Sequence, residues 1–246
     1  MIKRVEYLNQ LLSFCDKRLI KVVTGIRRCG KSTLLEMFRE ELLKRGVADH
    51  QITTISFEDA EFESLMDRKV LYTHLSDRLI KDEMNYIILD EIQHVDEWQR
   101  VVDSLFIKTN CDVYITGSNA YLLSGELATL LSGRYVEIKM LPLSFAEYVS
   151  AYPDKTELSR KYASYLANSS FPYALELDKP KDIRAYLDGI YTSVVLKDVV
   201  QRKRIADVSS LEKVIRFMFD NIGSLCSIKK SPMHWRSVAG VFQCIQ

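Results

Sequence analysis

Residues 19–44 constrain this chain more than any other stretch, because they read as one strand, one glycine-bounded loop and one helix in immediate succession. The apolar run Leu19-Ile20-Lys21-Val22-Val23-Thr24 is strand-sized. It leads into Gly25-Ile26-Arg27-Arg28-Cys29-Gly30-Lys31-Ser32, which satisfies G-x-x-x-x-G-K-[ST] at every fixed position. A helical pattern then runs from Thr33 to Lys44. Strand before and helix after is the context in which this pattern makes a phosphate-binding loop. Gly25 and Gly30 are expected to let the backbone curl so that N–H groups from Ile26 to Thr33 point at phosphate oxygens. The helix that follows aims the positive end of its dipole at the same anion. Lys31 is placed to reach the β- and γ-phosphates, and the Ser32 hydroxyl to ligate Mg²⁺. The expectation is a site for ATP with Mg²⁺.

The rest of the first 140 residues repeats the strand–helix alternation. Strand-like runs fall at Leu19–Thr24, Ile52–Phe57, Tyr86–Leu89, Val113–Thr116 and Tyr135–Met140, with helical stretches near 31–45, 68–83, 96–109 and 119–131. Continuous apolar runs separated by helices predict an α/β domain built on a parallel sheet with helices on both faces. Asp96 is the expected N-cap of the helix at 96–109, and Ser144 the cap of a short helix through Tyr148. Past Pro153 strand signals give way to amphipathic spacing, with Leu211, Val214, Ile215, Met218 and Phe219 on one helical face. Phe171-Pro172 interrupts that region. The predicted organisation is a nucleotide domain over 1–150, a helical region over 151–230 and a tail over 231–246.

Charge matters through its distribution. The net +1 hides 11 Lys/Arg against 5 Asp/Glu in residues 1–45, 5 against 13 in 46–100, and 11 against 6 in 181–246. A basic N-terminal segment is what a triphosphate-handling loop requires. The C-terminal excess, with Lys197, Arg202, Lys203 and Arg204 close together, has two readings: a solvated helix face or a surface for a DNA or protein partner. No apolar stretch is long enough for a membrane-spanning helix. The first 15 residues carry Lys3, Arg4 and Glu6 without an apolar block, so no secretory signal is expected. Five cysteines without C-x-x-C pairing fit reduced thiols in a cytoplasmic setting.

Three further segments carry chemistry. Tyr86-Ile87-Ile88-Leu89-Asp90-Glu91 is an apolar strand ending in two carboxylates, where a parallel sheet opens its ligand crevice. Asp90 is the metal candidate, and Glu91 the group that deprotonates a water for attack on the γ-phosphate. Val113-Tyr114-Ile115-Thr116-Gly117-Ser118-Asn119 ends in small polar groups, so Asn119 or Thr116 is a candidate γ-phosphate sensor; a helix start at Ser118 or Asn119 is compatible with it. Arg134, before the fifth strand, has two readings: a finger reaching the γ-phosphate of its own or a neighbouring subunit, or a loop residue paired with Glu137. Arg27 and Arg28 are expected to turn outward, Trp98 to sit in the core, and His94 to enter a helix.

Taken together, Thr24–Ser32, Leu89-Asp90-Glu91-Ile92-Gln93-His94-Val95, Ile115–Asn119 and Ser132-Gly133-Arg134 closely resemble the AAA-plus-like ATPases of bacteria and archaea that carry a C-terminal domain of unknown function. Leu141-Pro142-Leu143-Ser144-Phe145-Ala146-Glu147-Tyr148 is similar to that family's Pro-Leu-Ser-Phe-x-Glu-Phe signature. The resemblance, over about residues 1 to 230, implies strand order 5-1-4-3-2, the hydrolytic branch of phosphate-loop proteins, ATP with Mg²⁺, and the roles given above. Two departures stand out. Ser169-Ser170-Phe171-Pro172 replaces the family's Gly-Gly-Phe-Pro, which puts a tight turn in question. After Asn221–Lys230, similar to the entry of a winged-helix-like segment, the pattern is lost, and a reading-frame slip near Lys230 in a longer protein is the expectation. An ATPase coupled to an unknown partner is the leading reading, and a nucleotide-gated binding switch with little turnover is its alternative.

Overall fold

A computed structural model describes residues 2–118, 131, 133–194 and 208–224. Five strands, β1 (Ile20–Gly25), β2 (Ile52–Ser56), β3 (Asn85–Asp90), β4 (Cys111–Gly117) and β5 (Tyr135–Met140), form one sheet in the order β2-β3-β4-β1-β5. Every pairing is parallel. This is the order the resemblance implies, and each strand lies where an apolar run was read.

Alternation along the strands sorts side chains to two faces. Ile20 and Val22 join Ile87, Leu89, Val113 and Ile115 in one buried cluster, closed by Leu71 and Leu75 of α3 (Arg68–Arg78) and Val101, Val102 and Leu105 of α4 (Trp98–Ile107). Val23 joins Tyr86, Ile88, Tyr114 and Ile138 in the other, closed by Leu11 of α1 (Val5–Ser13) and Leu34, Leu35, Phe38 and Leu42 of α2 (Lys31–Lys44). The α2 residues recur at helical spacing, and each buried aliphatic or aromatic side chain contributes about 1.5–3 kcal/mol. Trp98 is core, as expected.

Of two expected caps, one is found and one is not. Asp96 does not cap α4: Glu97 holds that position with φ 48° and no side-chain cap, and is paired instead with Arg68 and Arg100. Ser144 does cap α5 (Phe145–Ser150): its Oγ accepts from the Glu147 N–H at 3.3 Å, while Glu147 Oε2 accepts from the Ser144 N–H at 2.8 Å. Such a reciprocal pair satisfies two N–H groups that would otherwise be unpaired.

The chain forms two compact units, divided between Pro180 and Lys181. The first extends past the boundary read near Pro153. The reason is α6 (Leu158–Asn168), whose Tyr162 and Tyr165 rings stand 5.1 and 5.6 Å from the Phe145 ring of α5. A 3₁₀ turn, Pro172–Glu176, follows at the break read from Phe171-Pro172. The second unit holds nearly all of α7 (Pro180–Thr192), which buries Ile183 and Ile190, and α8 (Val208–Asp220). The amphipathic face read for α8 divides: Leu211 and Val214 are buried, whereas Met218 and Phe219 are exposed. Among the described residues, no helix is long and apolar enough to cross a membrane.

Candidate phosphate-binding site

The loop from Gly25 to Ser32 leaves the C-terminal end of β1, and Lys31 opens α2. Its curl follows the reading at Gly30 and departs from it at Gly25. The left-handed turns fall at Arg28 (φ 66°) and Gly30 (φ 98°), while Gly25 does not adopt a positive φ. Gly25 is needed for space. A Cβ there would lie 2.5 Å from the Met140 carbonyl oxygen of β5 and 2.8 Å from the Cys29 Sγ, so only hydrogen fits. Ile26 and Arg28 face outward, as does Ser32 at the head of α2, with Thr33 half-buried behind it. Arg27 stands 3.9 Å from Glu58. Cys29 is buried, and burial pushes its thiol up against the opposing pull of Lys31 and Arg4, so it packs the loop as a neutral group.

One strand intervenes between the loop and the carboxylates, since β4 lies between β1 and β3. The arrangement nevertheless closes across it. Lys31 Nζ is 3.1 Å from Glu91 Oε1, and both side chains are almost fully buried. Lys31 also donates to the Gly25 carbonyl at 3.4 Å. Burial pushes the Glu91 carboxyl up, but the Lys31 charge, hydrogen bonds from Gln93 and Lys31, and the Arg27 charge outweigh it and hold it below the ordinary glutamate range. Glu91 has φ 53°, a left-handed conformation unusual for this residue type. Strain of that kind recurs where a side chain must be aimed.

Thr116, at the end of β4, is the strut between the two strand ends. Its hydroxyl donates to Asp90 Oδ1 and accepts from the Glu91 N–H at 3.0 Å. Thr116, one of the two sensor candidates, thus spends its single hydroxyl proton on Asp90. The Ser118 hydroxyl, one residue beyond β4, is buried without a hydrogen-bond partner among the described residues. Asn119, the other sensor candidate, lies outside the described residues, as do Lys197, Arg202, Lys203, Arg204 and the tail over 231–246.

Arg134 is not brought to this site. Its backbone oxygen accepts from the Ile20 N–H at 2.8 Å, at the start of β1, whereas the loop leaves the other end of that strand. Six residues at about 3.3 Å each separate the two, beyond the reach of an arginine side chain. The reading in which Arg134 reaches its own chain's γ-phosphate is therefore corrected. The expected Glu137 pairing also fails. Arg134 pairs with Asp103 and lies 5.7 Å from the Phe106 ring centroid, while Glu137 accepts from the Thr24 hydroxyl at 2.5 Å.

Sequence reasoning missed two residues that shape the loop. Gln93, in the 3₁₀ turn Ile92–His94, donates its side-chain N–H to Glu91 Oε2. Its spacing of two from Glu91 across a turn was the only available signal. Arg4, nearly fully buried, donates to the Cys29 carbonyl at 2.9 Å, the Leu141 carbonyl at 2.7 Å and Glu147 Oε1 at 2.7 Å. Glu147 thus caps α5 with one oxygen and holds Arg4 with the other, which ties the Pro-Leu-Ser-Phe segment to the loop. His94 is exposed, in the turn rather than at a helix start.

The model of a family described as an AAA domain matches residues 17–149, the stretch that holds the sheet, the loop and the paired carboxylates. This chain belongs to that family. It is similar to an uncharacterised protein of Haemophilus influenzae, 41% identical over 234 residues that make up 94% of this chain and 58% of the other. An uncharacterised protein of Methanocaldococcus jannaschii is 29% identical over 230 residues, 86% of this chain and 48% of its own length. The chain therefore spans about half the length of these curated relatives. Among solved structures, the Walker-type ATPase of Pyrococcus abyssi superposes with a TM-score of 0.51 at 14% identity, covering 83% of this chain and 76% of that one. A closed-state reconstruction of Hsp104 with ATPγS and casein superposes with 0.54 at 15% identity, covering 89% and 47%. At such identities the likeness is one of fold. It agrees with the sheet order of this AAA-domain chain, a phosphate-loop ATPase fold.

Proposed function

We propose that this AAA-domain chain binds ATP at Gly25–Ser32 and hydrolyses it with Mg²⁺. The observation that carries the reading is the buried Lys31–Glu91 pair at 3.1 Å, which brings a phosphate-binding cation and a candidate base to one point across an intervening strand. Lys31 reaches the β- and γ-phosphates, and backbone N–H groups from Ile26 to Thr33 with the head of α2 hold the remaining phosphate charge. The exposed Ser32 hydroxyl at the head of α2 and the Asp90 carboxylate at the end of β3 would supply oxygen ligands to the metal. Two hard oxygen ligands suit Mg²⁺, which binds through few protein groups and keeps its waters. When bound, that ion neutralises charge on the β- and γ-oxygens. Glu91 takes a proton from the attacking water, and its ionised form is already favoured by its neighbours. Arg134, exposed at the opposite end of the sheet, serves only from a neighbouring copy, leaving Asp103 to do so.

One observation favours the slower alternative, a nucleotide-gated switch. Both Glu91 oxygens are engaged, by Lys31 and by Gln93, so turnover waits on the release of Lys31. In either case the protein or DNA partner would act through the C-terminal region, residues 155–230.

The test is ATP binding and turnover by the full chain, Lys31→Ala and Glu91→Gln, with and without Mg²⁺. An ATPase requires Mg²⁺-dependent turnover in the native chain, collapse in Glu91→Gln with binding retained, and loss of binding in Lys31→Ala. Binding with equal slow turnover in native chain and Glu91→Gln selects the switch. Binding that survives Lys31→Ala unchanged sinks both.

A further inference from the structure

Gln93 presents its carboxamide in one orientation for a chemical reason. An ionised carboxylate only accepts hydrogen bonds, so the group that meets Glu91 Oε2 must be the side-chain NH₂ and not the carbonyl. That carbonyl, Oε1, is buried and has no hydrogen-bond partner among the described residues. Buried polar atoms are nearly always paired, so an orphaned acceptor next to a candidate base marks a place where a donor belongs. The Ser118 hydroxyl, after the neighbouring strand β4, is orphaned in the same way.

The two oxygens of Glu91 have different prospects when a triphosphate enters. Oε1 is held by Lys31, the residue for which the phosphates compete. Oε2 is held by Gln93, which has no charge to offer a phosphate and sits in the turn that follows Glu91. Once Lys31 turns to the phosphates, Gln93 is the partner that keeps Glu91 aimed.

We propose that Gln93 positions the attacking water: its N–H holds Glu91, and its orphaned Oε1 accepts a hydrogen bond from the water's second O–H. The proposal rests on the hydrolytic reading above. A water held between Glu91 and Gln93 Oε1 has both hydrogens committed and a lone pair free for the γ-phosphorus. As the water oxygen bonds to that phosphorus, the bond to the β–γ bridging oxygen breaks and its electron pair leaves on ADP. One water proton passes to Glu91 and then to solvent, and the other stays on the new phosphate.

The experiment compares the full chain with Gln93→Met, which keeps the length and removes both polar atoms, and Gln93→Asn, which keeps the amide one methylene shorter. Readouts are ATP affinity, single-turnover rate at saturating Mg·ATP, the pH profile of that rate, and the thermal melt. Misplacing a reacting group by about 1 Å costs on the order of 10²-fold in rate. Both variants should lose turnover on that scale with ATP affinity within about threefold of the native chain. In Gln93→Met the acid limb should also move to higher pH, because Glu91 loses a hydrogen bond that favours its ionised form. A purely structural role would move affinity and melt together and leave the pH limb in place. Turnover of Gln93→Asn and any folded Gln93→Met within threefold of native, while Glu91→Gln is inactive, overturns the assignment of Gln93 and leaves the ATPase reading standing. Absence of turnover in the native chain overturns both. Should Gln93→Met melt without cooperativity, Gln93→Asn alone decides between these outcomes.

Discussion

Lys31 Nζ stands 3.1 Å from Glu91 Oε1, so the cation expected on the phosphates and the carboxylate expected on the water neutralise one another across β4. This pairing has a pH signature. The Glu91 carboxyl is held below the ordinary glutamate value of about 4.3, because Lys31, Gln93 and Arg27 outweigh its burial. A depressed folded-state pKa contributes stability that is present above the unfolded value and is lost as pH falls through the folded one. The native chain should therefore lose stability relative to Glu91→Gln as pH drops below about 4.3, and not between pH 8 and 5. Urea midpoints of both proteins across that range measure the difference. For the same reason, kcat/KM should stay flat down through the ordinary glutamate range and fall only below it. A limb at pH 6 would contradict the pairing.

Thr116→Val keeps the shape of the strut and removes both of its hydrogen bonds. The buried Glu91 N–H then has no acceptor and Asp90 loses a donor. An unsatisfied buried group costs about 1–3 kcal/mol. The expected result is a loss of that size in chemical denaturation, with weaker Mg²⁺ dependence of ATP turnover because Asp90 is no longer held. A variant as stable as the native chain would show that the hydroxyl does not join the two strands.

Much of this site is legible along the chain because strand ends are local events. An apolar run followed by polar residues marks the end of a buried strand, and Asp90, Glu91 and Thr116 are found that way, while Gly25–Ser32 is found by its own G-x-x-x-x-G-K-[ST] pattern after such a run. What the run does not reveal is which residues meet across strands. Arg134 is adjacent in sequence to a strand that borders β1, yet it sits at the start of that strand, opposite the loop. Lys21 lies inside an apolar run and gives no sign of its partner Asp112, 91 residues away. Arg4 gathers carbonyls from Cys29 and Leu141, segments with no sequence relationship. Gly25 was readable as essential, but the reason, the approach of Met140, belongs to tertiary packing.

Lys21→Met should be among the most damaging conservative changes in the sheet. The ammonium is fully buried, paired with Asp112 and donating to the Lys17 carbonyl at 2.7 Å. Asp112 also accepts from the Tyr114 hydroxyl at 2.8 Å and the Asp16 N–H at 2.9 Å, so its carboxylate is held in place. Removing one partner of a buried pair costs about 3–5 kcal/mol, since the other charge is left uncompensated. Lys21→Met combined with Asp112→Asn should recover a measurable part of that loss. Denaturation of the single and double variants checks it, and simple additivity would refute the coupling.

Gly25→Ala tests the packing account of the loop. The added methyl would meet the Met140 backbone oxygen at 2.5 Å and the Cys29 Sγ at 2.8 Å. Backbone cannot retreat as a flexible side chain would, so the loop or β5 must shift, at a cost of about 1–3 kcal/mol or more. The prediction is a lower melting temperature together with weakened ATP binding. Cys29→Ala removes one of the two obstacles and should not rescue the variant, because the carbonyl remains.

Ser169 offers the opposite case, a position where glycine should help. Its φ of 83° and ψ of 160° lie in a region that is essentially glycine's own, and the turn it makes precedes Ser170, whose carbonyl accepts from the Leu143 N–H at 2.7 Å. Holding a non-glycine residue there costs about 1–3 kcal/mol. Ser169→Gly removes that strain but adds about 0.5–1 kcal/mol of unfolded-state entropy to be lost on folding. It also gives up the Ser169 hydroxyl that accepts from the Phe171 N–H at 3.3 Å, a contact worth about 0.5–1.5 kcal/mol. At mid-range these terms leave a net gain of about 0.3 kcal/mol, with an upper bound of about 2 kcal/mol, so the melting temperature should rise by at most a few degrees. Ser169→Ala separates the contributions: it keeps the strain and loses the hydroxyl, so it should melt below the native chain while Ser169→Gly melts above it. If both variants fall below, the hydroxyl outweighs the backbone and the turn is not strained.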